Sequence, residues 1–180
     1  MNDIQPILFL IPAIALVITG LLYFFLEKKA TDKKAFNKFV FAIAVIAFLL
    51  NFIWELIQIP FYKDASYNTE HIAFCALASV ADAIMVLLLY FGFAYIFRNP
   101  FWIRHSKWKR IVIVVLIGGA GATVIEFWHL SQANWAYANA MPTIPVINVG
   151  ISAVLQFMIL PVLVYFLSFY YLKFIKQNSR

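Results

Sequence analysis

Five stretches of almost unbroken apolar residues run along the chain, at 7–26, 36–59, 72–97, 111–130 and 147–172, with short polar connections between them. Each reaches the roughly 20 residues that an α-helix needs to cross the hydrocarbon core of a bilayer. The pattern predicts an all-α fold: a polytopic bundle of five transmembrane helices. The first stretch is too long for a signal-peptide core and no small-residue cleavage site follows it, so it is expected to remain as a helix. No internal repeat stands out, and no polar stretch is long enough to fold by itself. A single domain over 1–180 is therefore expected.

Composition agrees with the pattern. Hydrophobic residues make up 64% and charged residues 12%, against about 45–50% and 25% in soluble domains, which describes an integral membrane protein. The formal charge of +6 does not call for nucleic acid as a partner, because the basic residues sit in the short connections. Lys28, Lys29, Lys33, Lys34 and Lys38 flank the first connection. Arg98, Arg104, Lys107, Lys109 and Arg110 belong to the third, and Lys173, Lys176 and Arg180 to the C-terminus, leaving only Lys63 on the opposite side. The positive-inside rule then predicts an extracytoplasmic N-terminus and a cytoplasmic C-terminus, in a multi-pass protein of the bacterial inner (plasma) membrane. The third connection reads as a membrane-surface stripe, with Trp102 and Trp108 at the interface. The single Cys75 leaves no intramolecular disulfide and no thiolate metal cluster. Gly118-Gly119-Ala120-Gly121-Ala122 reads as a packing seam, Ala73, Ala76, Ala78, Ala81 and Ala83 as a narrow face toward the bundle centre, and Pro161 as a kink in the fifth helix.

Against this apolar background the polar residues inside the helices carry the functional question. Asn51, Glu55 and Gln58 share one helical face by their i, i+4, i+7 spacing. Glu55, Asp82 and Glu126 are the only acids of the eight that fall within helices. An acid there costs roughly 2.5–3.5 kcal/mol on insertion scales, so it normally faces the protein interior. Asp82 is expected near the midplane, with Glu55 and Glu126 about one turn from the outer ends of their helices. His129, three residues after Glu126, can share its face. Asn148, Ser152 and Gln156 are spaced to line one face of the fifth helix. All these groups lie toward the outer half of the membrane, so a pocket between helices 2 to 5 is expected to open on that side. Trp135 and Tyr137, in the uncharged 131–146 connection, either form part of a lid or act as interfacial anchors. A metal held by Glu126, His129, His71 and Glu55 is an alternative use of the same acids. Headgroup-level snorkelling of Glu55 and His71, and interhelical hydrogen bonding by the amides, are the plainer ones.

The Asn51-x-x-Trp54-Glu55 motif, with an aromatic and a proline shortly after it, resembles that of the small integral-membrane terpene cyclases. The later run Glu126…Trp135-x-Tyr137…Pro142, followed by a helix, is similar to the lycopene-cyclase-like membrane proteins, and sterol-isomerase-like bundles are a weaker likeness. The resemblance implies an all-helical enzyme without a cofactor, using membrane carboxylates to protonate an olefin or epoxide. It implies Glu55 as one acid and, by role only, Asp82 or Glu126 as the second.

The residues alone lead to a compatible chemistry. Acids in a dry pocket can deliver protons, and the faces of Trp54 and Trp128 can stabilise a cation. The expected function is acid–base chemistry, a cyclisation or isomerisation, on an isoprenoid or related lipid. Glu55, Asp82, Glu126 and His129 are the catalytic candidates. Asn51, Trp54, Gln58, Trp128, Trp135, Tyr137, Asn148 and Gln156 are the candidates for binding substrate. No cofactor or metal is expected. The competing functions are a non-catalytic lipid-binding or membrane-assembly protein and, further off, an ion-coupled transporter.

Overall fold

The computed structural model describes residues 10–178. The expected start of the first helix at residue 7, the side chain of Lys176, and Arg180 lie outside the described residues. The described chain forms α1 (Leu10–Lys29), α2 (Lys33–Gln58), α3 (Thr69–Ile96), α4 (Trp108–Ser131) and α5 (Ile151–Asn178), with 3-10 turns at Ile59–Phe61 and Trp102–His105. All five helices are long and apolar enough to cross a membrane. Their outward faces are correspondingly greasy, as at Phe41 (71% exposed) and Val124 (68%).

Local chemistry sets the helix starts. The Asp32 carboxylate accepts the Ala35 N–H at 2.9 Å and opens α2. The Asn68 side chain accepts the His71 N–H at 2.8 Å and opens α3 three residues earlier than its apolar run begins. Such caps satisfy backbone donors that the first helical turn leaves free. The fifth helix corrects the expectation. Apolar residues begin at 147, but the backbone turns back on itself there, with the Ile144 N–H bonded to the Val149 carbonyl at 2.8 Å. Asn148 adopts a left-handed φ of 53°, and α5 begins only at Ile151.

In lateral order the helices run α1, α3, α2, α5, α4: α2 packs between α3 and α5, α1 lies on the far side of α3, and α4 packs on α5. The connections α1–α2 and α3–α4 share one end of the bundle with Lys29, Lys33, Arg98 and Lys107, hereafter the basic end. There the core is aromatic. Phe36, Phe39, Tyr90, Phe91, Trp102 and Tyr165 are all essentially inaccessible. Trp102 is therefore no interfacial anchor: it packs 5.6 Å from Tyr90 and 5.9 Å from Tyr165, while Trp108 is exposed as expected. The polar tips in this cluster end on backbone carbonyls: Tyr90 on Pro100, Tyr165 on Val86, Trp102 on Tyr90. Of the alanines expected to face inward on α3, only Ala83 is buried; the packed face runs through Cys75, Ser79, Val86 and Tyr90.

Candidate functional site

The end of the bundle opposite the basic residues gathers the polar side chains. Gln156, on the second turn of α5, is their hub. Its Nε2 lies 2.9 Å from Asn51 Oδ1, 3.3 Å from Glu55 Oε1 and 3.0 Å from Asp82 Oδ2, joining α2, α3 and α5 through one amide. Gln58 Nε2 donates to Glu55 at 2.8 Å, and Ser152 donates to Gln58 Oε1 at 3.1 Å. Asn51, Gln58 and Gln156 are buried, whereas Glu55 and Asp82 keep some exposure. Asp82 is the midpoint residue of α3, so the cluster extends deep into the bundle. The Trp54 indole N–H beside this cluster is buried and has no hydrogen-bond partner.

A second group forms around Glu126 of α4. Tyr137 donates to its Oε2 at 2.6 Å, Trp135 to the same oxygen at 3.1 Å, and the Tyr62 hydroxyl stands 3.5 Å from Oε1. These donors come from two connections that the backbone ties together. Lys63 N–H bonds to the Ala136 carbonyl at 2.8 Å and Ala138 N–H to the Phe61 carbonyl at 2.9 Å, an antiparallel bridge that sets Tyr62 opposite Tyr137. The uncharged connection is thus fastened across the bundle end by main-chain hydrogen bonds, and its aromatic side chains turn inward to the acid.

Tyr62 links the two groups. Burial pushes its phenol well above the ordinary value, and the carboxylates of Glu126, Glu55 and Asp82 push it in the same direction. All three acids therefore act on one hydroxyl, Glu126 at the shortest range. The Tyr137 phenol is also raised, first by burial and then by Glu126, while the Gly150 N–H that it accepts at 2.9 Å acts in opposition.

Three expected site residues take other positions. His129 does not bond Glu126. Its Nδ1 lies 2.8 Å from Asn134 Nδ2, and its ring is stacked 4.2 Å from Trp135 and set edge-on to Trp128 at 4.8 Å. It holds the Trp135 ring in place, and Trp128 supports it from the other side. Asn148 sits in the exposed turn before α5 and is not on the face of Ser152 and Gln156. With Phe127, Leu130, Trp135, Tyr137 and Ile147 it lines a shallow groove of about 520 Å³ outside α4. His71 faces Asn68 and Ser66 at the start of α3, away from Glu126, and among the described residues no three His, Cys, Asp or Glu side chains converge as metal ligands.

Sequence reasoning did not single out Tyr62 or Asn134. Tyr62 was accessible in principle: Pro60 signals a turn just past the end of α2, and Tyr62 follows that turn directly. Comparison with protein-family models, curated proteins and solved structures finds no match for this chain.

Proposed function

We propose that this protein is an integral membrane enzyme that carries out acid–base chemistry, a carbocation-type cyclisation or isomerisation, on an isoprenoid or related lipid. The observation that carries the proposal is the Gln156 hub. An amide NH₂ has two hydrogens, yet three acceptor oxygens lie within bonding distance of this one. Glu55 is also served by Gln58 at 2.8 Å, so hydrogens suffice, but no Lys or Arg joins the cluster among the described residues, and a proton on one carboxyl is what offsets two acids held together without a cation. A carboxyl that carries its own proton in a dry site is a proton donor. Glu55 and Asp82 take that role. Glu126, which accepts from Tyr137, Trp135 and Tyr62, is equipped as the proton acceptor. The resemblance to membrane terpene cyclases likewise implies Glu55 as one acid and, by role only, Asp82 or Glu126 as the second.

The surroundings suit a lipid tail. The groove beside α4 is lined in part by Trp135 and Tyr137, the two side chains that bond Glu126 most closely. Trp54 presents an aromatic face and an unpartnered N–H next to the donor acids. The aromatic core at the basic end carries no polar relay onward, which argues against an ion pathway. By the same distribution of charge the basic end is cytoplasmic, in a bacterial inner membrane.

The test is mass spectrometry of lipids that co-purify with the wild type, Glu55→Gln and Asp82→Asn. A polyprenyl or sterol-like species is expected in all three, converted to product only by the wild type. If ordinary phospholipids alone are found with every variant, the site does not act on such a lipid and the enzyme reading fails.

A further inference from the structure

At the basic end, on the side away from the acids, α1 and the end of α3 enclose a groove of about 430 Å³ whose lining includes Phe25, Lys29, Tyr95, Ile96, Arg98 and Pro100. One of its walls presents exposed apolar surface: Tyr95 is 55% and Ile96 66% exposed. Its upper rim carries two cations. Lys29 lies with its Nζ 4.2 Å above the Phe25 ring, and Arg98 is exposed. Among the described residues no Asp or Glu lines it. The nearest acid along α1, Glu27, accepts from Asn37 of α2 at 2.8 Å, on a different face of the helix.

Arg98 is held there at a cost. It follows α3 with a left-handed φ of 50°, the position where glycine or asparagine usually ends a helix and where a long side chain is uncommon. The neighbouring backbone pins it. Its own N–H bonds the Tyr95 carbonyl at 3.1 Å, the Asn99 N–H bonds Ala94 at 3.0 Å, and the Asn99 side chain accepts from the Phe101 N–H at 2.8 Å. A strained residue maintained by its surroundings invites a functional reading. Here the strain brings a guanidinium to the same groove as Lys29.

We propose that this groove is a binding site for an anionic phospholipid, its headgroup phosphate held between Lys29 and Arg98 and one acyl chain lying along Phe25, Tyr95 and Ile96. Arginine offers a planar fork of donors that matches phosphate oxygens, and lysine adds a point charge. Two helix C-termini meet here, and their carbonyls repel an anion, so the two side-chain cations must supply the attraction. The site is separate from the acid cluster, and the proposal stands independently of any chemistry there.

The experiment is native mass spectrometry of the full chain in detergent with equal amounts of phosphatidylglycerol and phosphatidylcholine bearing the same acyl chains. The wild type should retain phosphatidylglycerol several-fold over phosphatidylcholine. Lys29→Gln with Arg98→Gln should lose the preference, whereas Lys107→Gln with Lys109→Gln, at the same end but outside the groove, should keep it. Equal loss in both pairs would mean diffuse surface charge and overturn the site. Retention in the Lys29 and Arg98 pair would do the same. Displacement of the lipid by inorganic phosphate alone would make it a simple anion site. Arg98→Gly separates binding from folding: with phosphatidylcholine only, its melting temperature should rise as the strain is relieved, while the anionic preference falls. A preference undiminished in Arg98→Gly would overturn the proposal.

Discussion

Single residues decide how the site holds its acids. Tyr137 joins the Glu126 carboxyl, at 2.6 Å, to the Gly150 N–H at 2.9 Å, so one hydroxyl fastens the closing segment to both α4 and the start of α5. Tyr137→Phe should cost about 1–3 kcal/mol of stability, the range for leaving buried polar groups unpaired, measured as a lower melting temperature in detergent. The pH dependence has a definite sign. Because the folded protein raises this phenol above its ordinary value of about 10, its contribution is fully present below that value and is lost as pH rises through the folded value. Tyr137→Phe should flatten that alkaline decline. The sequence made Asn51, Glu55, Gln58 and Gln156 legible because helical spacing alone put them on inward faces, and Asp82 because an acid at mid-helix has nowhere else to turn. The face it gave Asn148 was wrong, and for His129 it did not foresee the partner. Spacing of i+3 permits a contact with Glu126, but the stacking surface of Trp135, in the connection that follows α4, claims the imidazole. An apolar run through 147–149 looks helical until a reversal at Ile144–Val149 claims its backbone.

At the scale of elements, two residues that weaken helices in isolation explain each other. Pro161 lies within α5 and has no N–H, so the Phe157 carbonyl four residues earlier loses its helical donor. That carbonyl faces Gly118 of α4: a methyl group on Gly118 would collide with it, and one on Gly119 would meet the Met158 side chain. The missing side chain lets the α4 backbone approach the freed oxygen, a geometry suited to a weak Cα–H···O contact. Gly118→Ala should therefore lower stability by about 1–3 kcal/mol through overpacking. Gly121→Ala has nothing within 4 Å of the new methyl and should be neutral or stabilising by up to about 1 kcal/mol from helix propensity. Thermal unfolding of the two variants side by side checks both signs. The glycine run was legible as a seam, yet which of its glycines bears on the neighbour depends on helix rotation, which composition does not encode.

For the molecule as a whole, the number of helices and their apolar character were written in the hydrophobic pattern, because the bilayer demands length and greasiness of any span. Lateral order was not. Adjacency in sequence does not set it: α1 packs chiefly on α3, and α2 is shared between α3 and α5, where Asn51, Gln58 and the aromatic side chains from Tyr90 to Tyr165 select the neighbours. This order divides the bundle into an N-terminal trio and a C-terminal hairpin that meet along α2 and α5. The connection crossing between them is exposed from Lys107 to Lys109. A gene split after Ser106 should accordingly yield two inserted polypeptides that find each other. Residues 107–180, tagged, should pull down residues 1–106 from co-expressing cells. Neither piece alone holds both Glu55 and Gln156, so any turnover of lipid should return only with the reunited pair. Evolution could have arrived at such a chain by fusing two shorter membrane proteins, and a laboratory could take it apart again at the same joint.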